Sequence, residues 1–310
     1  MAYNLKEEVA KPERFSGGHR LCAGCGASVA VRGVLRALDA EDKAVCGAAT
    51  SCLEVSSFLY PYTAWNTSYI HTAFENVGAT VSGAEACYKA RKRKGTMGPE
   101  TYKFIAWGGD GGTYDIGFQS LSGAMERGHD MVYVCYDNEA YMNTGMQRSS
   151  ATPQFADVST APAGSVIPGK RESKKDLTDV LVAHNIPYVA QTTFTANFKD
   201  LHEKSHKALY TPGAAFLNIL APCPRGWRYP NADLMEICKL AIETCMWPLY
   251  EVVEGKWNLT YKPKNKLPVA DYLKKQGRFS HIWECEESIA KLQKTVDAKW
   301  EKLLNKCESA

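Results

Sequence analysis

Residues 107–145 read WGGDGGTYDIGFQSLSGAMERGHDMVYVCYDNEAYMNTG, and this stretch decides the fold. A short apolar run, Phe104 to Trp107, leads into glycines on both sides of Asp110. An amphipathic segment follows, and a second apolar run, Met131 to Tyr136, ends at Asp137-Asn138. The order of strand, glycine-rich turn, helix, strand and polar turn predicts a βαβ unit of a parallel sheet.

The ends of these two predicted strands carry groups suited to a phosphate and to magnesium. Open parallel sheets bind ligands in the crevice outside the carboxyl ends of their strands. The glycines around Asp110 would let backbone N–H groups approach a phosphate closely. Asp110 and Asn138 would supply hard oxygen ligands for Mg²⁺. Asp110 alone could instead cap the following helix, but Asn138 at the next strand end favours a magnesium–diphosphate site.

The composition is that of an ordinary soluble globular protein. The chain has 310 residues, of which 45% are hydrophobic and 23% are charged, enough for one large domain or two small ones. A net charge of +3 is too close to neutral to indicate a nucleic-acid or membrane partner. Neither a signal-peptide pattern nor an apolar run of membrane-spanning length is visible, so we expect a cytoplasmic protein.

Strand and helix patterns alternate along the rest of the chain, which predicts a parallel sheet covered by helices on both faces. We expect a single domain over residues 1–310, with a core at about 15–230 and a C-terminal extension at about 231–310. The extension contains a hairpin pattern about Glu254-Gly255 and an amphipathic helix pattern at residues 289–304.

Three segments show no periodic pattern. Residues 1–16 are predicted to form an extended arm, and residues 65–71 are predicted to form a loop. Residues 143–169 are predicted to form a much longer loop. Because long loops inside compact domains are more often functional than accidental, we expect this last one to contribute to a site.

Cysteine usage indicates a thiolate-bound metal or cluster. Eleven cysteines, an odd number, in a long chain without a secretion signal argue against a disulfide scaffold. Cys22-x-x-Cys25 lies in a glycine-rich loop at a helix start, and could be a redox dithiol, a zinc half-site or part of an iron–sulfur site. Cys52 and Cys223 follow predicted strands and are candidates for two further ligands, with buried core thiols as the alternative.

The other cysteines give weaker signals. Four fall in apolar or helical segments and are predicted to be core thiols: Cys46, Cys87, Cys135 and Cys238. Three have no predicted role: Cys245, Cys285 and Cys307.

Five separated motifs resemble the β subunit of 2-oxoacid:ferredoxin oxidoreductases. They are CAGCG at 22–26, GDGGTYDIG at 109–117, YDNEAYMNTG at 136–145, SSATP at 149–153 and APCPRGW at 221–227. The resemblance covers roughly residues 15–230 and is closest to the pyruvate type, including its oxalate-oxidising relatives. It implies the thiamine-diphosphate-binding fold, with thiamine diphosphate (TPP), Mg²⁺ and one [4Fe–4S] cluster on this chain.

The resemblance also implies a role for each matching residue. Magnesium would be held by Asp110, Asn138 and the carbonyl oxygen of Ala140. The TPP diphosphate would lie against Gly109, Gly111 and Gly112. The cluster ligands would be Cys22, Cys25, Cys52 and Cys223. Asn143 would face the reacting end of the cofactor, with a turn asparagine in the left-handed conformation as the alternative, and Val55 would support the bent shape of the cofactor. Glu54 and His71 lie nearby in sequence.

In such a protein the cofactor acts as an electron sink for loss of CO₂ from a 2-oxoacid, and the cluster passes electrons outward to ferredoxin. A pyruvate enzyme would reversibly convert pyruvate and CoA to acetyl-CoA and CO₂, whereas an oxalate enzyme would release only CO₂ without CoA. The family places the glutamate that contacts the aminopyrimidine ring on an α subunit, and further [4Fe–4S] clusters on a γ or δ subunit. We therefore expect the isolated chain to lack turnover.

Two other functional classes remain open from the residues alone. A zinc-stabilised, non-catalytic α/β module would use the same cysteines without iron or sulfide. A non-redox TPP decarboxylase or synthase would use the magnesium–diphosphate site without any cluster. Replacing Cys25 separates the second class from a redox enzyme, because only the redox enzyme loses electron transfer to a viologen dye.

Overall fold

The computed structural model describes residues 3–309, and within them helices and strands alternate as the sequence predicts. The helices are α1 (Leu5–Ala10), α2 (Gly26–Arg36), α3 (Cys52–Ser57), α4 (Val77–Arg93), α5 (Phe118–Glu126), α6 (Leu177–Val182), α7 (Lys199–Tyr210), α8 (Pro224–Trp227), α9 (Leu234–Glu243), α10 (Val269–Leu273) and α11 (Glu286–Glu308). The strands are β1 (Lys43–Ala49), β2 (Ser68–Thr72), β3 (Tyr102–Gly109), β4 (Met131–Asp137), β5 (Tyr188–Thr192), β6 (Ala214–Leu220), β7 (Tyr250–Val253) and β8 (Lys256–Leu259).

The strands form one sheet in the order β2-β1-β3-β4-β6-β5-β7-β8. The first six strands in this order run parallel, and β7 and β8 are antiparallel. The register pairs Gly109 of β3 with Tyr136 of β4, so these two strands end side by side. The predicted parallel sheet is confirmed, and the carboxyl ends of β1, β3 and β4 meet at one edge.

Helices cover both faces of the sheet. Every residue of β4 is buried, as expected for a strand in the middle of a parallel sheet. On one face, α2 and α7 bury apolar residues such as Val34 and Leu201. On the other face, α4 and α5 do the same with residues such as Val81 and Leu121. The helices therefore cover the two faces of the sheet, and loops lie at its carboxyl edge.

Two of the segments predicted to be irregular are regular. Residues 5–10 form α1 within the predicted extended arm, and this short helix is capped by the Asn4 side chain, which accepts a hydrogen bond from the Lys6 N–H. Residues 68–72 form β2 where a loop was predicted. Because β2 lies at the edge of the sheet and is only partly buried, its sequence SYIHT lacks the apolar run of an interior strand.

The C-terminal extension joins the same sheet. The predicted hairpin is confirmed, with β7 and β8 joined at Glu254-Gly255, and β7 pairs with β5. The predicted C-terminal helix is also confirmed and is longer than expected, spanning Glu286–Glu308. The assignment of residues 1–310 to a single domain stays a prediction. No helix within residues 3–309 is both long and apolar enough to cross a membrane.

Three of the four predicted core thiols, Cys46, Cys135 and Cys238, are buried. The prediction for Cys87 is wrong, because this residue lies on the solvent-exposed side of α4. The small residues of that helix gave no clear apolar stripe from which to place it.

Candidate active site

Loops at the carboxyl edge of the sheet enclose a small crevice. Its lining consists of residues at the ends of β3 and β4 or in the segments after β1, β3 and β4, together with Phe74: Thr50, Ser51, Cys52, Phe74, Gly109, Asp110, Gly111, Gly112, Tyr136, Asn138, Ala140, Tyr141, Met142, Asn143 and Thr144. The crevice therefore brings together most of the residues predicted to bind the cofactor. Val55 is half-buried on α3, three residues after Cys52, and does not line the crevice.

Glycines form one wall of the crevice because side chains would not fit there. After β3, residues Gly111–Ile116 form a π-helical turn. A Cβ atom on Gly111 would lie 2.4 Å from a ring carbon of Tyr141, and one on Gly112 would lie 3.0 Å from the carbonyl oxygen of Phe74. The Tyr141 hydroxyl donates to the carbonyl oxygen of Gly111 at 3.0 Å and fixes this wall. The wall therefore presents main chain to any bound group.

The Asp110 carboxylate, the Asn138 amide and the Ala140 carbonyl oxygen converge beside this wall. One terminal atom of the Asn138 amide lies 2.8 Å from the Ala140 carbonyl oxygen and 2.8 Å from Asp110 Oδ1. Without a cation, hydrogen bonding places the amide nitrogen at this position, where it donates to both oxygens. With a cation, the amide oxygen would take this position, at about the spacing of neighbouring ligands around Mg²⁺. The donor set, one carboxylate, one amide and one carbonyl, fits this ion.

Asp110 is a buried carboxylate without a cationic partner in the described part of the chain. It is 1% exposed, and no lysine, arginine or histidine within residues 3–309 forms an ion pair with it. Ser149 Oγ and the Asn138 N–H donate to its oxygens. Burial, followed by repulsion from Asp137, raises the pKa of Asp110 well above its usual range. Its side chain makes no capping bond to the following turn, which removes the alternative role as a helix cap.

Asn143 lines the mouth of the crevice and is exposed. It is not among the described residues with positive φ, so the alternative of a left-handed turn asparagine does not apply. Its side chain is free to contact a molecule bound at this opening.

The four predicted cluster cysteines lie on loops that are joined to one another. Cys25 precedes α2, Cys52 begins α3 and Cys223 precedes α8, so three of them lie at helix N-termini. The Gly26 N–H donates to the carbonyl oxygen of Pro222 at 3.0 Å, which ties the first cysteine loop to that of Cys223. Both Cys52 and Cys223 are partly exposed, unlike ordinary core thiols.

These thiols are also electrostatically coupled. Burial raises the pKa of Cys25 to about 11, and Cys223 and Cys22 add to the increase. Burial also raises the pKa of Cys52, with contributions from Cys223, Cys25 and Cys22. Negative charge on Cys223, Cys25 or Cys22 would therefore disfavour a thiolate at Cys52. In the described part of the chain, no group of three or more histidine, cysteine, aspartate or glutamate side chains is arranged to hold a single metal ion.

Glu54 and His71 form a pair next to this region. Glu54 is 1% exposed on α3, and its Oε1 lies 2.6 Å from Nδ1 of His71, which is half-exposed at the end of β2. Burial raises the pKa of Glu54. Glu54 and His71 therefore contact each other in the structure, although the sequence gave neither residue a role.

Several residues of the site gave no sequence signal. Ser149, which donates to Asp110, lies in the long loop that was expected to contribute, but nothing singled out its hydroxyl. Lys174 donates to Asp137 and Glu139 at 2.7 and 2.9 Å beneath the crevice. Arg278, from the C-terminal extension, also reaches Glu139. These are tertiary contacts between distant segments, which local patterns do not reveal.

The chain is similar to several known proteins. Residues 47–219 match the family model described as thiamine pyrophosphate enzyme, C-terminal TPP binding domain. The pyruvate synthase subunit PorB of Thermotoga maritima is 50% identical, over 97% of this chain and 94% of the relative. PorB of Methanocaldococcus jannaschii is also 50% identical, over 94% of this chain and 97% of the relative.

A solved structure, the 2-oxoglutarate:ferredoxin oxidoreductase of Magnetococcus marinus, shares the fold. It is 21% identical, covers 74% of this chain and 78% of that chain, and superposes with a TM-score of 0.53. The chain shares half of its residues with two PorB subunits along nearly its full length. It therefore belongs to the family of β subunits of 2-oxoacid:ferredoxin oxidoreductases.

Proposed function

We propose that this chain binds TPP through Mg²⁺ and carries one [4Fe–4S] cluster, as part of a complex that oxidatively decarboxylates pyruvate. The observation that carries this proposal is the convergence of the Asp110 carboxylate, the Asn138 amide and the Ala140 carbonyl at a glycine wall, with Cys52 lining the same crevice. A cation there would link the buried carboxylate to a diphosphate. An electron acceptor bound through Cys52 would lie next to the cofactor.

The magnesium and diphosphate ligands divide into two groups. Asp110, Asn138 and the Ala140 carbonyl would hold the ion, which would neutralise the otherwise unpaired Asp110 carboxylate. The diphosphate would lie against a glycine wall formed by Gly109, Gly111 and Gly112. Bound TPP would supply an electron sink for loss of CO₂ from a 2-oxoacid. Asn143 would donate a hydrogen bond to the substrate at the mouth of the crevice.

Val55 does not line the crevice, but we propose that it supports the bent shape of the cofactor. It would support the cofactor from α3 once TPP occupies the crevice, because it lies one turn beyond Cys52.

The cluster would be held by Cys22, Cys25, Cys52 and Cys223. The Gly226 N–H donates to Cys223 Sγ at the start of α8. Cys25 and Cys52 lie at the N-termini of α2 and α3, where the helix dipole favours negative charge. Iron would also favour the thiolate forms, which burial and, to a smaller extent, the neighbouring cysteines disfavour by raising the pKa values of Cys25 and Cys52. A cluster held by these four cysteines would supply one-electron transfer toward ferredoxin.

Pyruvate, with CoA as the acyl acceptor, is the substrate that the names of the relatives support. Oxalate, oxidised to two CO₂ without CoA, is the alternative within the same family. The model that matches residues 47–219 describes one TPP-binding domain, which we take as the single domain of residues 1–310. An α subunit would then supply the aminopyrimidine glutamate, and a γ or δ subunit would carry further clusters in a cytoplasmic complex.

The proposal is tested by replacing Cys25 with alanine in the complete complex, prepared without oxygen. We expect the variant to lose about four iron and four sulfide per complex and to stop reducing a viologen dye, because one cluster ligand is missing. Cys87→Ala is the matched control, since Cys87 is exposed on α4 away from the crevice. Zinc in place of iron would support the structural module instead, and unchanged decarboxylation without iron would support the non-redox enzyme.

A further inference from the structure

We propose that Arg278 is a positioning residue that fixes the loop carrying two magnesium ligands, an inference that rests on the proposed function. Arg278 lies in the C-terminal extension, in the 3₁₀ turn Gly277–Ile282, more than 130 residues from that loop in sequence. It is 1% exposed and contacts the loop in two independent ways. The extension thereby becomes part of the cofactor site.

The first contact is an ion pair with Glu139. This residue stands between Asn138 and Ala140, and its φ of 66° is a left-handed conformation that glutamate seldom adopts. The turn at Glu139 is what directs the Asn138 side chain and the Ala140 carbonyl to the same point. Arg278 Nη2 donates to Glu139 Oε2 at 2.5 Å, and Lys174 holds the other carboxylate oxygen at 2.9 Å.

The second contact reaches the same loop through Trp227. The Arg278 guanidinium carbon lies 3.8 Å from the centre of the Trp227 ring system. The Trp227 indole N–H donates to the carbonyl oxygen of Asn138 at 2.7 Å. Trp227 ends α8, the helix that begins after Cys223, so the stacked pair also connects the magnesium loop to a cysteine loop. Gln276 Oε1 accepts from Arg278 Nε at 2.9 Å and fixes the guanidinium plane.

Both contacts need the shape of arginine as well as its charge. A planar guanidinium can stack on an indole while its N–H groups reach a carboxylate, whereas a lysine ammonium cannot do both.

A positioning role and a purely electrostatic role for Arg278 predict opposite changes in Mg²⁺ affinity when its charge is removed. The field of a cation near the site repels Mg²⁺, so its loss would tighten Mg²⁺ binding if the field were all that mattered. A loss of positioning would weaken that binding.

The test is the Mg²⁺ dependence of TPP binding to the complete complex, followed by tryptophan fluorescence, for the wild type and for Arg278→Met. We expect the variant to require roughly 10–100-fold more Mg²⁺, as for other residues that hold metal ligands in place. High Mg²⁺ should restore the wild-type TPP affinity, which a general folding defect would not allow. Equal or tighter Mg²⁺ binding by the variant would overturn the proposal.

Two further variants complete the experiment. Arg228→Met is the matched control, because Arg228 follows Trp227 but forms a half-exposed ion pair with Asp157. It should leave Mg²⁺ dependence unchanged. Arg278→Lys keeps the charge and replaces Arg278→Met if the latter does not fold; it should weaken Mg²⁺ binding, and an unchanged requirement would overturn the proposal. Failure of the wild-type complex to bind TPP with Mg²⁺ would instead refute the proposed function.

Discussion

At the scale of single residues, the site depends on a carboxylate that the fold leaves without a counter-ion. Asp110 is buried beside the glycine wall, whereas the nearby carboxylates of Asp137 and Glu139 both accept hydrogen bonds from Lys174. An arrangement of this kind is costly unless a cation completes it. We therefore expect that binding of a cation at Asp110 offsets this cost.

The Asp110→Asn substitution should weaken TPP binding without lowering the thermal stability of the chain. Because the variant keeps the shape but loses the charged ligand, we expect TPP affinity in the presence of Mg²⁺ to fall by at least roughly 100-fold. The Tm of the cofactor-free chain should be equal or higher, since a buried carboxylate is replaced by a neutral amide. Calorimetric titration with TPP and thermal melting measure the two effects. A lower Tm with unchanged TPP affinity would show that Asp110 has a structural role only.

Sequence patterns predicted individual site residues only where a side chain with suitable ligand chemistry also follows a recognisable strand. Asp110 and Asn138 were predictable because each ends a strand of one βαβ unit, and the carboxyl ends of parallel strands lie together. Choosing Cys52 and Cys223 from eleven cysteines needed the family resemblance. Arg278 could not be predicted at all, because its contacts with Glu139 and Trp227 exist only in the folded chain.

At the scale of elements, the turn after β3 is the part of the site with the least freedom. Gly111→Ala would place a Cβ atom 2.4 Å from the Tyr141 ring, which lines the crevice, so that ring must shift. We expect a loss of about 1–3 kcal/mol in the free energy of unfolding, as for other overpacked sites, and weaker TPP binding. Urea denaturation and TPP titration test both effects.

Gly83→Ala is the matched control for this prediction. Gly83 lies within α4, and a Cβ atom there would meet nothing within 4 Å. Its replacement should stabilise the chain by about 0.5–1 kcal/mol through helix propensity, without affecting TPP. If both alanine variants bind TPP equally, the glycine wall does not contact the diphosphate.

The elements that the sequence did predict are those with a strong apolar period. The interior strands β3, β4 and β6 are buried throughout or nearly so, and their runs of apolar residues reveal them. The edge strand β2 is half-exposed and polar, so only its pairing with β1 makes it a strand. The short helix α1 likewise depends on one specific contact, the Asn4 cap, and not on a strong apolar pattern.

At the scale of the whole molecule, one buried lysine should set part of the pH dependence of stability. Lys170 is 1% exposed and donates to the carbonyl oxygen of Thr152 at 2.5 Å, and burial lowers its pKa to about 8. Between pH 8 and about 10.5 the unfolded chain holds this proton and the folded chain does not, so this group makes stability rise with pH. Below pH 8 both states hold the proton and the contribution is constant.

Lys170→Met should reduce that rise. We expect the increase in Tm from pH 8 to 10 to be smaller than in the wild type by a few degrees, measured on the cofactor-free chain. Lys262→Met serves as the control, because Lys262 is exposed and should leave the pH profile unchanged. Identical profiles for the wild type and Lys170→Met would mean that the Lys170 ammonium is not destabilised by burial.

The isolated chain should bind its cofactor but lack turnover. The matching family model is one TPP-binding domain, and we propose that the aminopyrimidine glutamate comes from an α subunit. Purified chain with Mg²⁺ and TPP should therefore show no pyruvate-dependent dye reduction, and addition of the partner subunits should restore it. Full activity from the single chain would contradict this division of the site.

The central claim is that a magnesium-bound TPP and a redox cluster share one crevice of this chain. The most direct measurement is anaerobic reduction of a viologen dye by the complete complex, with pyruvate plus CoA compared against oxalate without CoA. The account predicts reduction with pyruvate that requires both CoA and TPP and is lost in Cys25→Ala. Reduction with oxalate alone would assign the alternative substrate. Absence of reduction with either acid, or reduction that persists in Cys25→Ala, would contradict the account.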